Sequence, residues 1–145
     1  MKPPESIPVR LLLLADPSEK QIANYIKQSK IFIAEQDKVI IGVCALSETS
    51  SQVYEVHNIA VAELYQGKGI GTQLLNQAIA FANDRLAATL IICTADTSLG
   101  QLHLYKKMGF KIDAVEKDYF IRHYPEPIYE NGSQCRDRVI LKITF

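Results

Sequence analysis

Gln66-Gly67-Lys68-Gly69-Ile70-Gly71-Thr72 is the stretch on which the reading of this chain turns. Its three alternating glycines lie between an apolar run that ends at Val61 and a long helical pattern that starts at Ile70. Without side chains the backbone can approach a phosphate closely, and the N–H groups that open a helix have no partner of their own. Such a turn suits an anion, to which the helix dipole adds about 0.3–1 kcal/mol when the site is exposed. Lys68 puts a positive charge in the same turn. Two other phosphate loops fail on spacing. A Walker A loop needs GxxxxGK followed by Ser or Thr, and Lys68 is followed by Gly69. A dinucleotide GxGxxG counted from Gly67 needs a glycine where Thr72 stands, and this loop comes after several strands. A tight turn that uses glycine for geometry alone is the plain alternative.

Upstream of the loop, Gln52 to Val61 reads as a strand, and Ile31 to Glu35 and Val39 to Leu46 as two more, joined in a hairpin at Gln36-Asp37-Lys38. The apolar run Val9 to Leu14 predicts a buried strand ended by Asp16-Pro17. Ser18 then caps a helix through about Ser29, with Ile22, Ala23 and Ile26 on its apolar face. Downstream, Ile70, Leu74, Ala78 and Ala82 recur at steps of four, with Leu75, Ile79, Phe81 and Leu86 widening the stripe. Leu90 to Thr94 is an unbroken apolar run, suited to a strand buried on both faces. Ser98 caps a second helix through Leu102 and Tyr105 to Met108, with Gly109 as its stop. Phe110 onward returns to strand, residues 123–135 form an ordered loop, and Arg138 to Phe145 is the closing strand. This order implies one domain over residues 1–145, α/β in class, with a mixed sheet flanked by helices.

Composition narrows the partners. Sixteen basic and sixteen acidic residues cancel, so the excess of cations expected of a protein that grips a long nucleic acid is missing. The longest apolar runs fall far short of the roughly 18–20 residues of a membrane span, and Lys2 precedes two prolines rather than a signal sequence. The expectation is a cytoplasmic protein with neither nucleic acid nor membrane as partner. Cys44, Cys93 and Cys135 form no CxxC pair and share no ligand spacing with His57, His103 or His123, so no metal is expected. Cys135, beside Arg136, is the one thiol placed for reactivity.

The motifs together resemble a family. Gln66 to Gly71 matches the Q/R-x-x-G-x-G/A loop of the GCN5-related N-acetyltransferases, the GNAT superfamily. Asn58-Ile59-Ala60-Val61 resembles that family's fourth strand, and Leu104 to Phe110 its LYxKxGF segment, in the family's order and separations. From Tyr119 on, the pattern also resembles a group of small bacterial acetyltransferases. The resemblance implies a mostly antiparallel sheet of six to seven strands with a central splayed parallel pair, here Val53–Val61 and Leu90–Thr94. It implies acetyl-CoA as co-substrate and an amine acceptor attacking the thioester directly, with coenzyme A leaving as thiolate. Backbone groups of Ile59, Ala60 and Val61 would pair with the pantetheine arm. Gln66, Gly67, Lys68, Gly69, Ile70, Gly71 and Thr72 would hold the pyrophosphate. Ser98, where relatives often carry asparagine, is a further candidate cofactor contact. The resemblance also allows a homodimer, since many relatives dimerise.

Tyr105 falls at the family's general-acid position; packing beside Leu102 and Phe110 is its plain alternative. For the base, Glu55 has the spacing of the glutamate of the histone-acetylating branch. His57 lies two residues on, hence on the same strand face if no bulge intervenes, with an ordinary pKa near 6.5. Water is the third choice. Acidic and aromatic groups of the late loop, Glu126, Glu130, His123, Tyr124 and Tyr129, suit a cationic amine or plain surface packing, and stand outside the candidate site. The single helix expected between the first two strands leaves an open acceptor wall. The favoured reading is an N-acetyltransferase for a primary amine on a small molecule. A protein or peptide N-acetyltransferase and a non-catalytic acyl-CoA-binding module are the alternatives.

Overall fold

A computed structural model describes residues 9–16 and 18–145. The chain runs α1 (Val9–Ala15), α2 (Glu19–Ile26), β1 (Lys30–Gln36), β2 (Val39–Ser50), β3 (Val53–Val61) and a 3-10 turn (Glu63–Tyr65). It continues α3 (Ile70–Asp84), β4 (Thr89–Ala95), α4 (Leu99–Lys107), β5 (Lys111–Glu116) and α5 (Tyr119–His123). The short strands β6 (Tyr129–Glu130) and β7 (Ser133–Gln134) and the closing strand β8 (Arg138–Thr144) complete it. Among the described residues one sheet has six strands in the order β1-β2-β3-β4-β8-β5, and only β3 and β4 pair in parallel.

The first element is not the strand expected over Val9 to Leu14 but a helix. The run Val-Arg-Leu-Leu-Leu-Leu-Ala has one β-branched residue, and leucine is among the better helix formers, so an apolar run this short fits either form. Leu11 and Leu12 are buried against Ile22, Val43 and Ala60, and Asp16 N–H closes the turn on Leu12 O at 3.0 Å. Two helices therefore precede β1, not one, and both border a cavity on the side where an open wall was expected. Ser18 caps α2 as expected, its Oγ accepting from Gln21 N–H at 3.1 Å; Ala23 is exposed, though it was expected on the apolar face.

Helix α3 packs on β1, β2 and β3 through Leu74, Leu75, Ala78 and Ala82, all buried. Gly42 lets it come close, because a Cβ there would stand 3.0 Å from Leu74 Cδ1. Leu86, expected on this stripe, lies past the helix end at φ 59° and is 78% exposed. The loop expected over 123–135 carries the β6–β7 hairpin, turned at Asn131-Gly132, both with positive φ.

A bulge in β3 decides which faces its residues occupy. Ala45 of β2 faces Asn58, but Leu46 faces Val56, so His57 is the extra residue. Before it, Tyr54 and Val56 join the core beneath α3; after it, Ile59 and Val61 pack there, while Ala60 joins the core beneath α1. The alternation flips across one residue. Glu55, His57 and Asn58 thus border one cavity on the α1–α2 side.

Candidate active site

β3 and β4 pair only from Val53–Val56 against Thr89–Ile92. Beyond Val56, β3 stays bonded to β2 as far as Val61 against Gly42, while no further pairing with β4 occurs among the described residues. The sheet opens there in a wedge. The opening holds a cavity of about 220 Å³ lined by Ile59, Ala60, Val61, Gln66 and Gly71, with Gln101, Leu104 and Tyr105 of α4. An unpaired strand edge of this kind can accept an extended chain by backbone hydrogen bonding.

The glycine loop closes one end. Gly67 and Gly69 have φ of 77° and 84°, in the left-handed region that side chains disfavour. The first helical bond runs from Gln73 N–H to Gly69 O at 3.1 Å. The amides of Ile70, Gly71 and Thr72 lie ahead of it and have no partner among the described residues. Gln66 turns back, its Nε2 donating to Val61 O at 2.9 Å, which ties the loop to the strand end. Lys68 is exposed, with Nζ 5.5 Å from the centre of the Tyr65 ring. A wedge ending in free amides at a helix start fits a long chain that carries a diphosphate.

A second cavity, of about 420 Å³, lies on the α1–α2 side. Tyr105 lines both cavities: its ring packs on Phe110, with centroids 6.0 Å apart, yet borders the gap where β3 and β4 part. It is 3% exposed, and burial raises its pKa above the ordinary tyrosine value, so the phenol is neutral.

Glu55 and His57 face each other, with Oε2 3.8 Å from Nδ1, so the bulge does not part them. The other ring nitrogen of His57, Nε2, lies 2.7 Å from Ser47 Oγ, and its ring stacks on Tyr25 at 4.8 Å and 12°. Desolvation lowers the His57 pKa to about 4, which leaves the imidazole neutral at neutral pH. The pair is therefore not an ion pair there. Desolvation raises the pKa of Glu55, opposed by the positive charge of Arg138 and reinforced by Glu116. Ser98 is placed apart from the glycine loop: it borders the larger cavity, and its hydroxyl donates to Glu130.

Several residues here were outside the sequence reading. Arg138 lines the larger cavity, donates from Nε to Glu116 Oε1 at 2.6 Å and lies 4.1 Å over the Tyr119 ring. Its signal was slight: a charge starting an alternating strand, with its partner 22 residues away. Asn58, 3% exposed, donates from Nδ2 to Leu12 O and Tyr25 Oη, both at 2.9 Å, and fastens the helix pair to β3. A polar residue in a buried run was its only signal. Glu130, set aside with the late loop, accepts from Thr97 and Ser98 and borders the cavity. Cys135, the best placed of the three thiols on sequence grounds, is buried with its pKa raised by desolvation, so it is not activated. Among the described residues no three potential ligands cluster to hold a metal, and no helix is long and apolar enough to cross a membrane.

Comparison with known proteins bears on this geometry. The model of the acetyltransferase (GNAT) family matches residues 9–110. An uncharacterised N-acetyltransferase of Bacillus subtilis strain 168, YvbK, is 46% identical over 131 residues, 90% of this chain and 84% of its own. A solved GNAT family acetyltransferase of Elizabethkingia anophelis with acetyl-CoA bound superposes with TM-score 0.95 at 41% identity, covering 100% of this chain and 95% of that one. An IAA acetyltransferase of Bacillus cereus ATCC 14579 does so with TM-score 0.95 at 46% identity, covering 99% and 96%.

Proposed function

Because the chain belongs to the GNAT acetyltransferase family, we propose that it moves an acetyl group from acetyl-CoA directly to a primary amine on a small molecule. The observation that carries this is the position of Tyr105, the one residue with an ionisable proton among the five that line both a wedge suited to the thioester arm and a separate cavity suited to an acceptor. Acetyl-CoA supplies the acetyl group activated as a thioester, so the N–C bond forms as the C–S bond breaks. Ile59, Ala60 and Val61 line the arm's path, and the amides of Ile70, Gly71 and Thr72 take the pyrophosphate.

An acceptor ammonium must lose two protons on its way to an amide. Glu55 takes the first. Its raised pKa makes it a stronger base than His57, whose basicity burial has cut. His57 then serves as a neutral neighbour 3.8 Å from the carboxylate, itself held by Ser47 and Tyr25. Tyr105 donates a hydrogen bond to the departing sulfur. With a pKa raised above an ordinary phenol's, it holds its proton more tightly than a thiol of pKa about 8.5 would, so it stabilises the thiolate without giving that proton up. The remaining ammonium proton balances the thiol.

Unpaired cysteines accord with a reducing compartment, and the cytoplasm is the proposed setting. Thiol release from acetyl-CoA, measured against small amines, aminoglycosides and lysine- and N-terminal peptides, tests the reading. Turnover with a small amine supports it. Turnover with peptides alone moves the acceptor to proteins, and silence with acetyl-CoA still bound points to a non-catalytic module.

A further inference from the structure

Two walls face each other across the larger cavity. One is the turn between α1 and α2, the other the segment that follows α5. Tyr124 Oη donates to Asp16 Oδ1 at 3.0 Å, joining residues 108 positions apart. Among the described residues it is the one hydrogen bond between the helix pair and residues 117–137. The acceptor end is held in place: the same Asp16 oxygen also accepts from Ser18 N–H at 3.1 Å. Asn58 in turn ties both helices to β3. Asp16 and Tyr124 are half-buried, whereas Tyr105 and Ile92 on the same cavity are 3% and 1% exposed, so the bond runs at the rim and not the floor. Beneath it the cavity of about 420 Å³ falls within the roughly 300–1,000 Å³ of small-molecule sites.

We propose that the Asp16–Tyr124 hydrogen bond is a strap across the acceptor cavity that sets its size limit, admitting compact primary amines and holding out bulky amines and protein lysines. The proposal rests on the acetyl-transfer reading for its substrate, but the strap itself can be read without turnover. Asp16 and Tyr124 touch neither the Glu55–His57 pair nor the glycine loop through any hydrogen bond, which makes them determinants of access and not of chemistry.

The test compares wild type with Tyr124→Phe, Asp16→Ala and the double variant on primary amines of graded bulk. The readout is the ratio of kcat/KM for the bulkiest acceptor to that for the most slender. The ratio should rise about tenfold in either single variant, the order of one charge-assisted hydrogen bond. In the double variant it should rise no further than in Asp16→Ala, which cuts the Tyr124 bond and the Ser18 N–H bond together. A second readout needs no acceptor. Cys93 lines the same cavity; burial pushes its thiol up to about 12 and slows alkylation, but the ratio of its rates with a bulky and a small thiol reagent, followed by peptide mapping, cancels the thiolate fraction and should rise in Tyr124→Phe. An unchanged size ratio, strictly additive variants or unaltered Cys93 alkylation overturns the strap. Should wild type release no thiol with any amine, the transfer reading fails and Cys93 alkylation alone decides the strap.

Discussion

Replacing His57 with glutamine should flatten the acid side of the protein's stability profile, by an amount the structure sets. The imidazole is 13% exposed, stacked on Tyr25 and bonded to Ser47, and desolvation holds its pKa at about 4 against an ordinary 6.5. A pKa lowered on folding means that the folded state favours the neutral ring. The associated stability is complete above about pH 6.5 and is lost as pH falls towards about 4. Over the whole window, at 1.36 kcal/mol per unit, the loss approaches about 3 kcal/mol; at about pH 5 linkage gives about 2 kcal/mol. Glu55 offers little rescue by pairing with an imidazolium, because its Oε2 stands 3.8 Å from Nδ1 with no hydrogen bond between them and desolvation disfavours its own charge. Urea unfolding of wild type and His57→Gln at about pH 7.5 and about pH 5 measures the effect, since a domain of this size unfolds in one transition. Glutamine can keep a bond to Ser47, which limits the cost at neutral pH. Wild type should lose about 2 kcal/mol more than the variant between the two pH values. Equal losses would refute the claim that His57 is held neutral by burial.

Tyr105→Phe should bind acetyl-CoA with an unchanged dissociation constant in calorimetry and turn over about 100- to 1,000-fold more slowly, the cost of one donor to a developing anion. Glu55→Gln should raise stability while lowering turnover. A carboxyl whose pKa rises on folding adds stability below its ordinary value and loses it as pH climbs through the raised one, so the variant should melt higher than wild type at neutral pH and converge with it in acid. An unshifted pH–rate profile in that variant would remove Glu55 as the base. In Gly69→Ala the new methyl meets nothing within 4 Å, so φ 84° alone sets the cost, about 1–2 kcal/mol on thermal unfolding, with weaker acetyl-CoA binding because the helix start moves.

What the sequence made legible was local. The glycine loop, the stripe of α3 and the hairpin at Asp37-Lys38 each rest on neighbours within a few residues, where backbone preference and periodicity speak directly. The run from Val9 to Ala15 misled because an apolar segment of that length carries no period, and its leucines favoured the helix that burial against Val43 and Ala60 then stabilised. Leu86 misled in another way: its spacing fitted the stripe, but α3 had already ended at Asp84. The contacts that shape the larger cavity were out of reach. Asn58 to Leu12, Tyr124 to Asp16 and Arg138 to Glu116 join residues 46, 108 and 22 positions apart, and tertiary packing sets them with no trace in local pattern.

The bulge at His57 shows why a strand could be predicted while its chemistry could not. With strict alternation, Glu55 and His57 would share a face and Asn58 would turn into the core beneath α3, where its amide could reach neither Leu12 nor Tyr25. The extra residue gives up one step of pairing with β2 and in return lets three consecutive functions fall on one side. Glu55 meets the larger cavity, His57 stands 3.8 Å from the carboxylate, and Asn58 secures the helices that wall that cavity. The same flip sends Ile59 and Val61 into the α3 core, so the backbone that leads to the glycine loop is held rigid where β4 no longer supports it. One inserted residue thus couples the wall of the larger cavity to the unpaired strand edge of the wedge.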